Sequence, residues 1–279
     1  MNLRIMTMAD IPAGMRLKDI AGWNQLAVDW ERFLEASPRG CFAAEMNGEV
    51  VGTATTIVYE GRFAWIGMVL VDPAHRGKGI GTALLERTIE YLDGAEIPAM
   101  KLDATPQGKP IYEKLGFVAE YEIERWVLNR APDPSGGKSP SARPDLTEIC
   151  TSDRQFFGAD RSRLLLSLDQ EAPEFTMEVR RSGALAGYCL GRRGSRANHL
   201  GPWMARDESA AGELLEGFLR LSVGKTVFVD AMKMNPFVLR LLRAHGFEFS
   251  RPLTRMYRGP NQHPGLPQWL CAILGPEFG

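Results

Sequence analysis

Cysteine, histidine and long apolar runs are what this chain has least of. The four cysteines (Cys41, Cys150, Cys189, Cys271) are scattered over 279 residues and form no C-x-x-C. A chain of this length does not depend on disulfide staples, so the thiols read as reduced and cytosolic. The four histidines are spread as thinly, and no metal site is expected. No apolar run approaches the roughly 20 residues that cross a bilayer. The opening residues, MNLRIMTMADIPAGM, carry Asp10 and lack the apolar core of an export signal. The expectation is a cytoplasmic protein without a membrane partner. Charge of one sign is missing too: 33 Lys and Arg stand against 34 Asp and Glu, a formal net charge of −1. Nothing global draws nucleic acid.

What is present is ordinary globular composition, 44% apolar and 24% charged, in a length that suits one large domain or two of ordinary size. The stretch RAPDPSGGKSPSARPD, residues 130–145, is dense in Pro, Gly and Ser and cannot bury a core, so it reads as a linker. Before it, residues 15–34 have a helical pattern. Residues 41–58 read as two strands about the turn NGEV, and 63–71 as a third. A helix over 82–92 follows, then the strand AMKLDA, a short helix KPIYEKLGF ending at Gly116, and the strand YEIERWVL. This order predicts an α/β (α+β) sheet with helices on its faces. The second half echoes the first. AEMNGEVVGTATT resembles MEVRRSGALAGYCL, with Gly48 and Gly52 matching Gly183 and Gly187. LDATPQGKPIYEKLGF resembles VDAMKMNPFVLRLLRAHGF. Echoes in the same order predict two copies of one fold. The Pro/Gly-rich tail, 259–279, carries an apolar cluster and is expected to pack back on the body.

The chemistry is concentrated in VLVDPAHRGKGIGTALLERTIEYL, Val69–Leu92. It is no Walker loop, which needs G-x-x-x-x-G-K-[ST], and no dinucleotide fingerprint, because Thr82 stands at the third glycine position. What remains is Arg76-x-x-Gly79-x-Gly81 between a strand and an amphipathic helix. Glycines admit close backbone approach. The first helical N–H groups lack intrahelical partners and the helix dipole adds positive potential, so the segment suits a phosphate or pyrophosphate. Arg76 and Lys78 reinforce the sign.

This stretch resembles the acetyl-CoA signature [RQ]-x-x-G-x-[GA] of the GNAT superfamily of N-acetyltransferases, following Val71-Asp72-Pro73. The later element Tyr-x-x-x-Gly-Phe is present as YEKLGF, Tyr112–Phe117. The resemblance covers residues 1–130. GWNQ, WIGMVLVDP and the tail GPEFG are similar to a bacterial subgroup in which a degenerate second GNAT domain follows a complete one. The division implied is a GNAT domain over 1–130, a linker over 131–145 and a degenerate GNAT-like domain over 146–279. Each domain would be a mixed, mostly antiparallel sheet with helices on both faces. The resemblance implies acetyl-CoA as cosubstrate. Val69, Leu70 and Val71 would meet its acetyl-pantetheine arm, with Met68 opening that splayed strand. Backbone from Arg76 through Gly77, Lys78, Gly79, Ile80, Gly81 and Thr82 would cradle the pyrophosphate. Tyr112 would protonate the departing thiolate. Thr105 stands where the family often has Asn.

An amine acceptor must lose a proton before it attacks. Asp103 is the first candidate for that base, or else a brace for the loop ATPQGKP, and Glu45 is a second. Trp23, Asn24 and Gln25 fall in the region that forms the acceptor wall in GNAT folds. The second repeat has no Arg-x-x-Gly-x-Gly. Glu208 and Glu213 stand near its helix start, and Leu239 near the expected tyrosine, so one CoA site per chain is expected. The function implied is acetyl transfer to a primary amine of a small molecule. A protein or peptide lysine, or a non-catalytic acyl-CoA sensor, is the alternative. The expected assembly is a monomer or weak homodimer.

Overall fold

The computed structural model describes residues 1–133 and 144–279, so most of the expected linker lies outside the described residues. Packing divides the chain into two compact units that do not coincide with the sequence repeat. One comprises Met1–Ala119, Met256–Gln262 and Phe278. The other comprises Glu120–Arg255, His263–Glu277 and Gly279. Division by repeat, 1–130 and 146–279, is a division of chain rather than of packing.

The first unit runs β1 (Asn2–Ile5), α1 (Ile11–Ile20), α2 (Ala27–Ala36), β2 (Phe42–Met46), β3 (Glu49–Tyr59), β4 (Phe63–Val71), α3 (Ile80–Gly94), β5 (Met100–Ala104) and α4 (Lys109–Lys114). Its strands lie in the order β1-β2-β3-β4-β5, antiparallel except for β4 and β5. Asn47 and Gly48 both take positive φ, 52° and 82°, which matches the twist a two-residue hairpin turn needs. The helical pattern of 15–34 is broken in the structure. Gly22 turns the chain at φ 71°, and α2 restarts where the Asp29 carboxylate accepts the Leu26 N–H at 2.8 Å.

Strand β3 sorts its side chains by alternation. A Cβ at Gly52 would lie 3.0 Å from Leu84 of α3, and Ala54 joins Ile80 and Leu84 in one core cluster. Thr53, Thr55, Ile57 and Tyr59 therefore face the other way, toward α1 and α2, which pack on β3. Tyr59 donates to the Phe278 carbonyl at 2.9 Å, and Phe278 stacks on Phe33 of α2. Helices thus cover both faces.

The second unit holds β6 (Val118–Leu128) from Glu120 onward, α5 (Leu146–Phe157), α6 (Ser162–Glu171), β7 (Met177–Arg181), β8 (Ala184–Arg192), β9 (Asn198–Ala205), α7 (Glu208–Leu221), β10 (Val227–Met232), α8 (Pro236–Ala244), β11 (Glu248–Arg258) up to Arg255, and β12 (Leu270–Ala272). Its strand order is β11-β6-β10-β12-β9-β8-β7. The repeat is visible in register. Gly187 meets Met204 O and Leu214 as Gly52 meets Leu70 O and Leu84, so neither position has room for a side chain. The tail packs back as expected, with Leu270–Leu274 buried.

Candidate active site

Strands β4 and β5 of the first unit pair at Ala64–Met100 and Trp65–Lys101, and then separate. Opposite the separation, β4 carries one more residue than β3: Thr53 pairs Leu70 while Thr55 pairs Gly67. The extra length bulges at Met68, which takes φ 49°. Its carbonyl is held by the Thr53 hydroxyl at 2.8 Å. A left-handed bulge in a non-glycine residue costs backbone strain, of order 1–3 kcal/mol, and re-aims the peptide groups of a strand. Beyond it run Val69, Leu70 and Val71, with one edge open along the gap. Sequence reasoning placed the strand but missed Thr53. The signal was the run of three threonines, Thr53, Thr55 and Thr56, in the middle of a mostly apolar strand.

The gap leads to the glycine loop. Asp72 accepts from Ala74 N and from Arg16 Nη1 at 2.8 Å. Arg16 also donates to Val50 O, so this otherwise exposed arginine pins the loop to the sheet. Those hydrogen bonds, from Arg16 first and Ala74 second, hold the Asp72 carboxyl below its ordinary range. Gly77 and Gly79 take φ 75° and 77°, a conformation that suits glycine. Gly79 is the N-cap of α3 and brings no capping side chain. The first helical bond is Ala83 N to Gly79 O, which leaves the N–H groups of Ile80, Gly81 and Thr82 without intrahelical acceptors. Arg76 donates to Val71 O at 3.1 Å and Lys78 to Ala74 O at 3.4 Å. Neither meets a carboxylate among the described residues, so both cations add to the helix dipole.

Tyr112 lies on α4 with its ring over Gly108, where a Cβ would stand 2.8 Å from the ring. Burial pushes its phenol up to about 12, so it is a protonated donor at neutral pH. Asp103, half-buried, lies one residue before the end of β5 and two after Lys101. Met100, Leu102 and Ala104 pack with α3 residues, so Lys101 and Asp103 share the α1/α2 face. Lys101 is buried over the Phe63 ring, 5.0 Å from its centre. Trp23, Asn24 and Gln25 form the connection between α1 and α2, with Asn24 and Gln25 buried. Glu45 is held by Arg4 at 2.8 Å on β2. Strands β3 and β4 stand between β2 and the gap.

The second unit shows what a closed version looks like. Its β9 and β10 pair in parallel through Asn198–Val227, His199–Phe228 and Leu200–Val229. Where they separate, β12 fills the gap, pairing Ala272 with Ala231 on one side and with Trp203 on the other. The bulged residues there are Gly201 and Pro202, and proline has no N–H to offer. Helix α7 is capped by its own Asp207, which accepts from Ala210 N at 2.8 Å, so an internal carboxylate satisfies that helix start. The tyrosine position is Leu242, not Leu239. Phe247 N bonds Leu242 O as Phe117 N bonds Tyr112 O, and the count back from the Gly-Phe pair fixes the match. Asp230, the counterpart of Asp103, is locked by Arg125 at 2.6 and 2.8 Å and approached by His199 at 3.0 Å.

Two family models match the chain. One, described as the acetyltransferase (GNAT) family, covers residues 15–117, and another, a GNAT domain, covers 149–268. The chain is 27% identical over 260 residues to the holothin acyltransferase of Pseudoalteromonas sp. (strain SANK 73390), a match spanning 92% of this chain and 87% of the relative. It is 26% identical to the uncharacterized N-acetyltransferase YitH of Bacillus subtilis, over 76% of this chain and 74% of that one. Among solved structures, a Pyrococcus horikoshii protein assigned to the acetyltransferases superposes with TM-score 0.82 at 24% identity, over 100% of this chain and 95% of that one. A GCN5-related N-acetyltransferase of Sphaerobacter thermophilus gives 0.68 at 20%, over 95% and 96%. The open, bulged strand beside an uncapped glycine-led helix and the two matched domains agree: the chain belongs to the GNAT family of acetyltransferases, as a tandem of two GNAT domains.

Proposed function

We propose that the chain is an acetyl-CoA-dependent N-acetyltransferase acting on a primary amine of a small molecule, with one acetyl-CoA site per chain. The carrying observation is the uncapped start of α3 behind Gly77 and Gly79, at the end of a strand that has parted from its neighbour. The pyrophosphate sits on the N–H groups of Gly77–Thr82, with Arg76 and Lys78 beside it. The acetyl-pantetheine arm runs along Val69–Val71 in the gap. A backbone N–H at the Met68 bulge polarises the thioester carbonyl. The amine nitrogen attacks the thioester carbon, the C–N bond forms and the C–S bond breaks. The departing sulfur takes a proton from Tyr112, and the ammonium gives one up to Asp103 or to water it holds. The first repeat, residues 1–130, carries this chemistry, and the second, 146–279, carries none. The molecule works as a monomer or weak homodimer.

Relatives named for holothin and, over 38% of this chain, for mycothiol favour a small acceptor over a protein lysine. Calorimetric titration with acetyl-CoA, followed by thiol-release assays over a panel of amines, tests the reading. Saturable binding with amine-dependent release is expected. Tight binding with the same slow hydrolysis for every amine would replace the enzyme with an acyl-CoA sensor.

A further inference from the structure

The direction of each N–H along the open end of β4 follows from the ladder. Asp72 N–H bonds Val51 O at 2.9 Å, so it faces β3. In an antiparallel pair the groups alternate in direction along the strand. The Leu70 N–H, opposite Thr53, therefore also faces β3. Val69 and Val71 turn theirs the other way, toward the gap before β5. Val69 is half-buried, between Met68 and Leu70 at 1% and 5% exposed. Its N–H is the donor on this edge that adjoins the bulge.

The Met68 carbonyl and the Val69 N–H belong to one peptide group. That peptide is trans, so its two polar bonds point in opposite directions. Whatever holds the carbonyl sets the direction of the N–H. The holder is Thr53, fully buried, whose hydroxyl donates to Met68 O at 2.8 Å. Met68 gives no such fixity, because its φ of 49° lies in a strained region, and relaxation to an ordinary φ would swing the peptide. The second repeat supplies an internal comparison. Tyr188 follows Gly187 as Thr53 follows Gly52, but its hydroxyl donates to Asp153 Oδ1 at 2.8 Å. That repeat keeps a bulge, at Gly201 and Pro202, with its hydroxyl spent elsewhere. A bulge at this place therefore does not by itself require a hydroxyl from that position. The threonine goes with the repeat that has the glycine loop.

We propose that Thr53 is a positioning residue for acyl transfer: by holding the Met68 carbonyl it aims the Val69 N–H at the thioester oxygen. This rests on the acetyltransferase reading above. Thr53 acts through the peptide and touches neither substrate. A donor fixed in advance costs no reorganisation as negative charge develops on that oxygen. The contribution is therefore largest in the transition state and small in the ground-state affinity for acetyl-CoA, which the pyrophosphate cradle supplies.

The test uses the full chain and acetyl-CoA labelled with carbon-13 at the acetyl carbonyl, read by isotope-edited infrared difference spectroscopy. A hydrogen bond to a carbonyl oxygen lowers its stretching frequency, so the wild type is expected to displace the band downward from that of free acetyl-CoA. Thr53→Ala and Thr53→Val should each lose more than half of that displacement, while acetyl-CoA affinity by calorimetry changes less than about threefold. Thr53→Ser should keep the displacement. Ser and Ala both omit the methyl group and differ by the hydroxyl alone, so a packing defect would move both bands together. With an amine that the wild type turns over, kcat should fall about tenfold or more in Thr53→Ala and Thr53→Val, part of the 10²–10³ that a lost oxyanion donor costs. An unchanged band in those two variants overturns the assignment, as does a Thr53→Ser band that moves with that of Thr53→Ala. Loss of acetyl-CoA binding or of a cooperative melt in both Thr53→Ala and Thr53→Val would make the threonine structural and overturn it too. So would a wild type that binds acetyl-CoA with no displacement of the band. Absence of acetyl-CoA binding by the wild type would instead overturn the underlying reading, and this assignment with it.

Discussion

At Gly81 the chain has room for a side chain it does not carry. The nearest atom to a Cβ there is Val71 Cγ2 at 3.5 Å, ordinary contact, and the backbone is helical. Gly79 differs, because its φ of 77° strains any replacement whatever the space. Packing within the chain therefore does not require glycine at 81, and the proposed pyrophosphate site would. Gly81→Val should cost less than about 1 kcal/mol of stability while cutting acetyl-CoA affinity by at least about tenfold, a scale set by loss of close backbone approach. Unchanged affinity by calorimetry would remove the pyrophosphate from this loop. Tyr112 offers the complementary test. Tyr112→Phe keeps the ring over Gly108, so acetyl-CoA should still bind while turnover falls about 10²–10⁴-fold. A loss below about threefold would return the tyrosine to a packing role. Because burial lifts the phenol to about 12, its ionisation should put no alkaline limb on wild-type kcat in the neutral range.

At the scale of elements, the two repeats use the same register for opposite ends. The first leaves the gap between β4 and β5 open and the start of α3 uncapped. The second fills the corresponding gap with β12 and caps α7 with Asp207. Much of the first was legible, because local chemistry fixes it: β4 spans residues 63–71 as read, Asn47-Gly48 makes the hairpin, and Gly116 at φ 86° follows α4. The absence of Arg-x-x-Gly-x-Gly from the second repeat was legible too. The filling of its gap was not, since β12 finds Ala231 and Trp203 through contacts distant in sequence, and QWLCAIL reads only as an apolar tail. The break at Gly22 was missed for another reason: an isolated glycine inside a helical pattern is tolerated and does not by itself mark an end. Between neighbouring strands β9 and β10 the second unit buries His199 beside Asp230. Burial holds His199 below its ordinary 6.5 despite that carboxylate. Burial would raise Asp230, but the Arg125 charge and hydrogen bonds from His199 and Arg125 override it and hold the carboxyl far below its usual range. The unfolded chain therefore binds a proton at His199 that the folded chain resists, so this stability is full above about pH 6.5 and is lost as pH falls below it. Asp230 adds stability that is present above its unfolded value of 3.8 and lost as pH falls lower. Melting temperatures from pH 7.5 to 5 should fall less steeply in His199→Gln than in the wild type. An identical slope would sink the assignment of that limb to His199.

At the scale of the whole molecule, sequence halves and compact units differ, and the difference decides what can be made separately. Residues 1–130 alone would lack Met256, which is buried in the core cluster of Ala64, Ile66, Leu85 and Ile89. They would also lack Phe278, stacked on Phe33. They would keep β6 without its partner β10, to which Ile123–Leu128 are paired. An unpaired strand bearing Ile123, Trp126 and Leu128 is an aggregation edge. Residues 146–279 alone would lose the Arg125 that fixes Asp230, and breaking a buried pair of that kind costs about 3–5 kcal/mol, much of a domain's whole stability. Neither half is therefore expected to melt cooperatively by itself. A full chain cut at a protease site engineered into 134–143 keeps every segment, and should keep its acetyl-CoA affinity and bind one equivalent per pair of fragments. Circular dichroism melts of each half, then calorimetry on the cut chain, read both outcomes. A cooperative melt and full acetyl-CoA affinity in residues 1–130 alone would show that Met256 and Phe278 are dispensable to the site. Two equivalents bound by the cut chain would show that the second repeat admits a ligand past β12.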